Sequence, residues 1–99
     1  MTKLISITRS NHPDKKMMAT FENDGRRKTV HFGARGMNDY TSFPKAIREK
    51  RKELYLSRHR ANENWNDPES PGALSRYILW NKPSLQASIA DYKRRFNFS

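Results

Sequence analysis

The residue types able to do chemistry are few and poorly placed for it. His12, His31 and His59 lie far apart in the sequence. None reads as pairing with another His, Asp or Glu at helical ligand spacing, so a zinc site is not expected. Ser75, in Gly72-Ala73-Leu74-Ser75-Arg76, lacks the Gly-x-Ser-x-Gly frame that exposes a nucleophile between strand and helix. Glu49 and Glu53 share a helix face, but beside Lys45, Lys50 and Lys52 they read as i,i+4 ion pairs rather than as general acid and base. Gly33-Ala34-Arg35-Gly36 resembles a phosphate-cradling loop without the Gly-Lys-Ser/Thr ending that would bring a lysine and a hydroxyl to a nucleotide. With no cysteine in the chain, disulfides, thiolate metal sites and thiol nucleophiles are excluded. No catalytic, cofactor-binding or metal-binding residue is assigned, and neither enzymatic activity nor a small-molecule substrate is expected.

What remains is charge. The 99 residues carry 20 Lys+Arg against 10 Asp+Glu, a formal charge of +10. That favours a polyanionic partner: nucleic acid, an acidic membrane face or an acidic protein surface. The charge is spread rather than held in a tail: residues 1–42 carry eight basic and four acidic side chains, residues 43–64 seven and three, and residues 65–99 five and three. The densest arrangement is one helix face formed by Lys45, Arg48, Arg51, Lys52 and Arg58 with Tyr55 inside it, the candidate partner-binding surface. The competing reading of that face is an ordinary solvated one.

A thin core must position this surface. Only 34% of the chain is hydrophobic, and the mean hydropathy is −1.05, so eleven aromatics carry much of the burial and neighbours are expected to complete the fold. A single domain spanning 1–99 is expected. No apolar run approaches the roughly 20 residues needed to span a bilayer, and Met1-Thr2-Lys3-Leu4-Ile5-Ser6 turns polar too soon for a signal peptide. The protein is expected to be soluble.

The expected fold is α+β: a three-stranded antiparallel meander over about 3–33, followed by helices over about 43–63, 71–80 and 85–96. In the first strand Ile5 and Ile7 share a face. Met17, Ala19 and Phe21 share a face of the second, and Val30 and Phe32 of the third. Asn23-Asp24-Gly25 is a tight hairpin turn. In the first helix Ser42 is the candidate cap, Pro44 sits in the first turn, and Phe43, Ile47, Leu54 and Ala61 form the apolar stripe. Ser70-Pro71 starts the second helix and Ser84 caps the third, whose stripe is Leu85, Ile89, Tyr92 and Phe96. The expected core is Phe21, Val30, Phe32, Ile47, Leu54, Trp65, Leu74, Ile78, Trp80, Leu85, Ile89, Tyr92 and Phe96. For Trp65 a partner-binding anchor is the sharper alternative, and Val30 and Phe32 could stack bases if exposed. Lys93, Arg94 and Arg95 suit the negative end of the last helix dipole.

Several pieces together carry a resemblance: Lys28-Thr29-Val30-His31-Phe32-Gly33-Ala34, Asp39-Tyr40-Thr41, Tyr55-Leu56-Ser57-Arg58-His59, Glu63-Asn64-Trp65, Asp67-Pro68 and Leu79-Trp80-Asn81-Lys82-Pro83-Ser84-Leu85. From about Lys16 to Phe96 the chain resembles a family of small basic proteins of unknown function from nucleocytoplasmic large double-stranded DNA viruses of algae and amoebae. The resemblance implies a virion with an icosahedral shell, an internal membrane and a large genome. It offers no catalytic residues. In that setting the expectation is a minor capsid (cement) protein, synthesised in the host cell interior and packaged in the virion. Its partners would be the major capsid protein or neighbouring minor capsid proteins, with acidic lipid headgroups of the internal membrane as a further surface. The alternative is a genome-associated nucleic-acid-binding protein.

Overall fold

The computed structural model describes residues 2–98; Met1 and Ser99, the ends of the expected domain, lie outside it. The architecture is α+β. Strands β1 (Thr2–Arg9), β2 (Lys15–Asn23) and β3 (Arg26–Ala34) form an antiparallel sheet in the order β1-β2-β3. Helix α1 (Lys45–His59) follows, then α2 (Pro71–Leu74), which runs directly into a π-helical turn (Ser75–Leu79), and finally α3 (Leu85–Arg95).

The sheet has one dry face, supplied by residues alternating at the strand period of two. Met17, Ala19, Phe21, Val30 and Phe32 are buried against Leu74, Ile78, Leu79 and Tyr92 from the helical half. Full burial of a large side chain contributes roughly 1.5–3 kcal/mol, so this one layer stabilises most of the domain. The β2–β3 hairpin turns on Asp24 and Gly25, at φ 52° and 81°, the pair of positive values a two-residue hairpin loop needs to match strand twist.

In β1 the observed phase differs from the expected alternation. Pairing shifts between Leu4 and Ser6, a bulge that inserts Ile5 as an extra residue. Leu4 and Ile7 therefore both pack on the core, while Ile5 is 41% exposed. A bulge, with Lys3 and Arg9 alongside, also protects a sheet edge from pairing with other chains.

At the far end of β3, Gly33 has φ 78°, and a Cβ there would meet Leu79 Cδ1 at 2.5 Å. Glycine at this position lets the π turn lie directly on the sheet. The chain then leaves through Arg35, whose guanidinium donates to the carbonyls of Ser10 and Lys15 at 2.8 and 3.1 Å. The Gly33–Gly36 stretch thus serves as the turn out of the sheet, with its arginine fastening the β1–β2 connection.

The helix starts follow local chemistry. Ser70 Oγ accepts from Ala73 N with Pro71 at the first helical position, and Ser84 Oγ accepts from Ala87 N. Each satisfies a backbone donor that the helix cannot. Tyr92 is the centre of the helical half: fully buried, packed on Phe96 and Phe98, with its hydroxyl donating to Pro68 O at 2.6 Å. Asp91 accepts from Asn81 Nδ2 at 2.7 Å and pairs with Arg95 at 3.3 Å, tying the end of the π turn to α3. That hydrogen bond from Asn81, assisted by Arg95, holds the Asp91 carboxyl below its usual pKa.

Candidate functional site

The site is a groove of about 460 Å³ between α1 and the body of the domain. Its existence follows from how α1 is attached. The expected helix over 43–63 is shorter, Lys45–His59, and Pro44 rather than Ser42 occupies the cap position without a side-chain hydrogen bond. Ser42 is engaged elsewhere: its hydroxyl accepts from Asp39 N at 2.9 Å, while Asp39 O accepts from Ser42 N and Phe43 N. Asp39 itself is buried, its carboxylate 2.6 Å from Lys16 Nζ and accepting from Thr41 N. Tyr40, also buried, donates its backbone N–H to Leu79 O at 3.0 Å. This corner sets the angle at which α1 departs.

The face that α1 turns inward is not the expected apolar stripe. Ile47 and Leu54 are 42% and 45% exposed, and Tyr55 is the buried residue of the helix. The surface opposite is an aromatic plate, not an aliphatic one. Tyr55 stacks on Trp80 with ring centroids 4.4 Å apart and planes 5° apart, and His59 covers the other side of Tyr55 at 4.4 Å. Offset aromatic stacking adds roughly 0.5–1.5 kcal/mol beyond area burial. Arg48, Lys52, Tyr55 and His59 step by four, three and four, so this stripe meets the body. Lys52 Nζ donates to Asn81 O at 3.0 Å and lies 4.8 Å from the Tyr40 ring, with Arg48 5.5 Å from the same ring. Burial lowers the pKa of Lys52.

The predicted contact surface is therefore divided. Arg51, Tyr55 and Arg58 line the groove together with Phe43, Leu54, Trp80 and Leu79. Arg48 and Lys52 are turned onto Tyr40 and Asn81, and Lys45 is exposed at the helix start. Among the described residues no lysine or arginine of α1 forms an ion pair. The expected pairing of Glu49 and Glu53 with neighbouring lysines is absent. Glu49 instead accepts from the Tyr40 hydroxyl.

Two other expectations are corrected. Trp65 is half-buried outside the sheet core, beneath the Arg76 guanidinium at 4.3 Å, and Arg76 also covers Tyr77 at 5.0 Å. The Trp65 indole sits against this cationic side chain, while the same loop meets the sheet through Glu69, 3.7 Å from Lys28 of β3. The histidines are not isolated: His59 Nδ1 lies 3.3 Å from Glu63, four residues on, and the His12 and His31 rings are 5.8 Å apart, with Ser10 Oγ 2.7 Å from His31 Nδ1. The Glu63 carboxylate occupies the space that a side chain on Gly72 would fill. Sequence reasoning missed Met37, Asp39 and Glu63 as groove residues. The Asp-x-x-Ser spacing of Asp39 and Ser42 was the available signal for the corner.

The stacked aromatics give a pH signature. Burial, reinforced by the charge of Glu63, pushes the Tyr55 phenol up from 10.0 to about 12. Burial also raises Tyr92, and the hydrogen bond to Glu49, followed by burial, raises Tyr40. The folded chain holds these protons more tightly than the unfolded one. Their contribution is therefore complete below the unfolded phenol pKa near 10.0 and is lost as pH rises from there through about 12. We expect a denaturant midpoint that falls steeply across this interval, with tyrosinate absorbance rising in step with loss of helical circular dichroism. Ionisation of the Tyr55 phenol at its ordinary pH in a chain that stays folded would contradict the stacking described.

The fold and groove define a class: a three-stranded meander backed by helices, with a laterally attached cationic helix and an aromatic-floored cleft. The chain belongs to a family of unknown function, DUF5754, which matches residues 5–59. The match covers the sheet from Ile5 and ends at the last residue of α1. No curated protein and no solved structure matches the chain.

Proposed function

We propose that this protein is a virion structural component, a minor capsid (cement) protein that contacts capsid proteins on the inner shell through α1. The observation that carries this reading is the state of α1 itself. A 15-residue helix buries only one side chain, Tyr55, leaves Ile47 and Leu54 exposed, and, among the described residues, has no ion pair for any of its lysines or arginines. Unmatched apolar and charged groups on one helix suit a surface completed by a neighbour, where buried anchors carry most of the binding energy and charges direct encounter. Among the described residues no helix is long and apolar enough to cross a membrane and no three His, Cys, Asp or Glu side chains are grouped to hold a metal.

The same unpaired cations favour a second reading, binding to genomic nucleic acid through phosphates. Cross-linking of intact purified particles separates the two, since α1 lysines would be joined to capsid proteins under the first reading only.

A further inference from the structure

We infer that the groove beside α1 receives a segment of a partner protein that presents one large apolar side chain bracketed by carboxylates. The inference rests on the protein-binding reading of α1 and specifies what that surface recognises.

On α1, Ile47, Arg51, Leu54 and Arg58 step by four, three and four, a single helical stripe in which apolar and cationic side chains alternate; Arg51, Leu54 and Arg58 line the groove and Ile47 extends the stripe one turn beyond it. Ile47 and Leu54 are exposed, as is Met37 across the groove at 66%. The floor is aromatic and aliphatic: Trp80, Tyr55, Phe43 and Leu79. Its volume of about 460 Å³ lies within the range of roughly 300–1,000 Å³ that holds a compact ligand, enough for one large side chain with part of its backbone.

The charges in and around it are not equivalent. Asp39 is matched by Lys16 at 2.6 Å, and Glu63 lies beside His59 at 3.3 Å and against Gly72. Among the described residues, Arg51 and Arg58 have no carboxylate partner. Arg51 lies over the Phe43 ring at 5.5 Å, leaving its guanidinium edge to bind an acceptor. Guanidinium groups pair with carboxylates through two parallel hydrogen bonds, so the uncompensated positions call for acidic groups on either side of an apolar anchor. Base stacking is less well served, because the faces of Tyr55 are already covered by Trp80 and His59.

Capped acidic pentapeptides with a central leucine or phenylalanine provide the test, against the same peptides with central alanine and against a basic counterpart. The chain has two tryptophans, and in a Trp65→Phe variant Trp80 on the groove floor becomes the sole fluorophore. The indole signals of the unmodified chain in a nitrogen–proton correlation spectrum give the same readout without substitution. We expect saturable change at Trp80 with the leucine or phenylalanine peptide, at least about tenfold weaker binding with alanine at the centre, and none with the basic peptide. Arg51→Glu/Arg58→Glu should abolish it. Equal binding of the alanine and phenylalanine peptides, no binding by any acidic peptide, or perturbation of Trp80 by a single-stranded oligonucleotide alone would each overturn the inference. Because this assay uses the isolated protein, its failure leaves capsid cross-links through α1 intact. Conversely, peptide binding without such links would fault the virion assignment alone.

Discussion

Tyr92→Ala is expected to leave the chain largely unfolded at physiological temperature. Truncating a buried aromatic costs about 3–5 kcal/mol, and a domain of this size has in total only about 5–15 kcal/mol. Here the thin core places the margin at the low end. Tyr92 is fully buried against Phe96 and Phe98, and its hydroxyl holds Pro68 O. Removing it opens the sheet-facing layer and frees the turn that leads into α2 together. Tyr92→Phe separates these roles: the ring remains, and only the bond to Pro68 is lost, at about 1–3 kcal/mol. Urea midpoints of the two variants check the ordering. Similar midpoints would mean that the hydroxyl, rather than the ring, holds the helical half together.

The second large effect is functional. The double reversal Arg51→Glu/Arg58→Glu should abolish incorporation into particles while leaving circular dichroism and thermal midpoint essentially unchanged. Both side chains are exposed and, among the described residues, neither forms an ion pair, and surface substitutions of this kind change stability by about 0.5 kcal/mol or less. Opposite charge at a contact turns attraction into repulsion worth several kcal/mol. Normal incorporation of the folded variant would remove this rim from consideration. Loss of incorporation on reversing Lys45 instead, with Arg51 and Arg58 tolerated, would move the contact to the helix start.

The sheet was legible because its signals are local. A period of two in Lys16–Glu22 and Lys28–Gly33, with Asp24-Gly25 between them, leaves one register. The Ser70-Pro71 and Ser84 starts and the Leu85–Phe96 stripe are local as well. Where the reading failed, the deciding partner was distant in sequence. The β1 bulge is set by pairing with Thr20 and Phe21, which periodicity within β1 cannot reveal. The inward face of α1 depends on Trp80, 25 residues beyond Tyr55 by their numbering, so the expected apolar stripe stays out of the core, with Phe43 and Leu54 lining the groove and Ile47 exposed. Ser42 looked like a cap, but Asp39 had a stronger claim on its hydroxyl. Of the predicted surface, Arg51, Tyr55 and Arg58 come together at the groove, and Tyr55, covered by Trp80 and His59, serves to attach the helix.

The most direct test of the central claim is cross-linking mass spectrometry on intact purified particles, reading the partners of Lys45, Lys50 and Lys52. The account predicts links from these lysines to capsid proteins, most strongly from the exposed Lys45 and Lys50. Recovery of the protein in a nuclease-sensitive core fraction without such links would contradict it. A steep salt dependence of DNA affinity would then identify phosphates as the groups its cations meet.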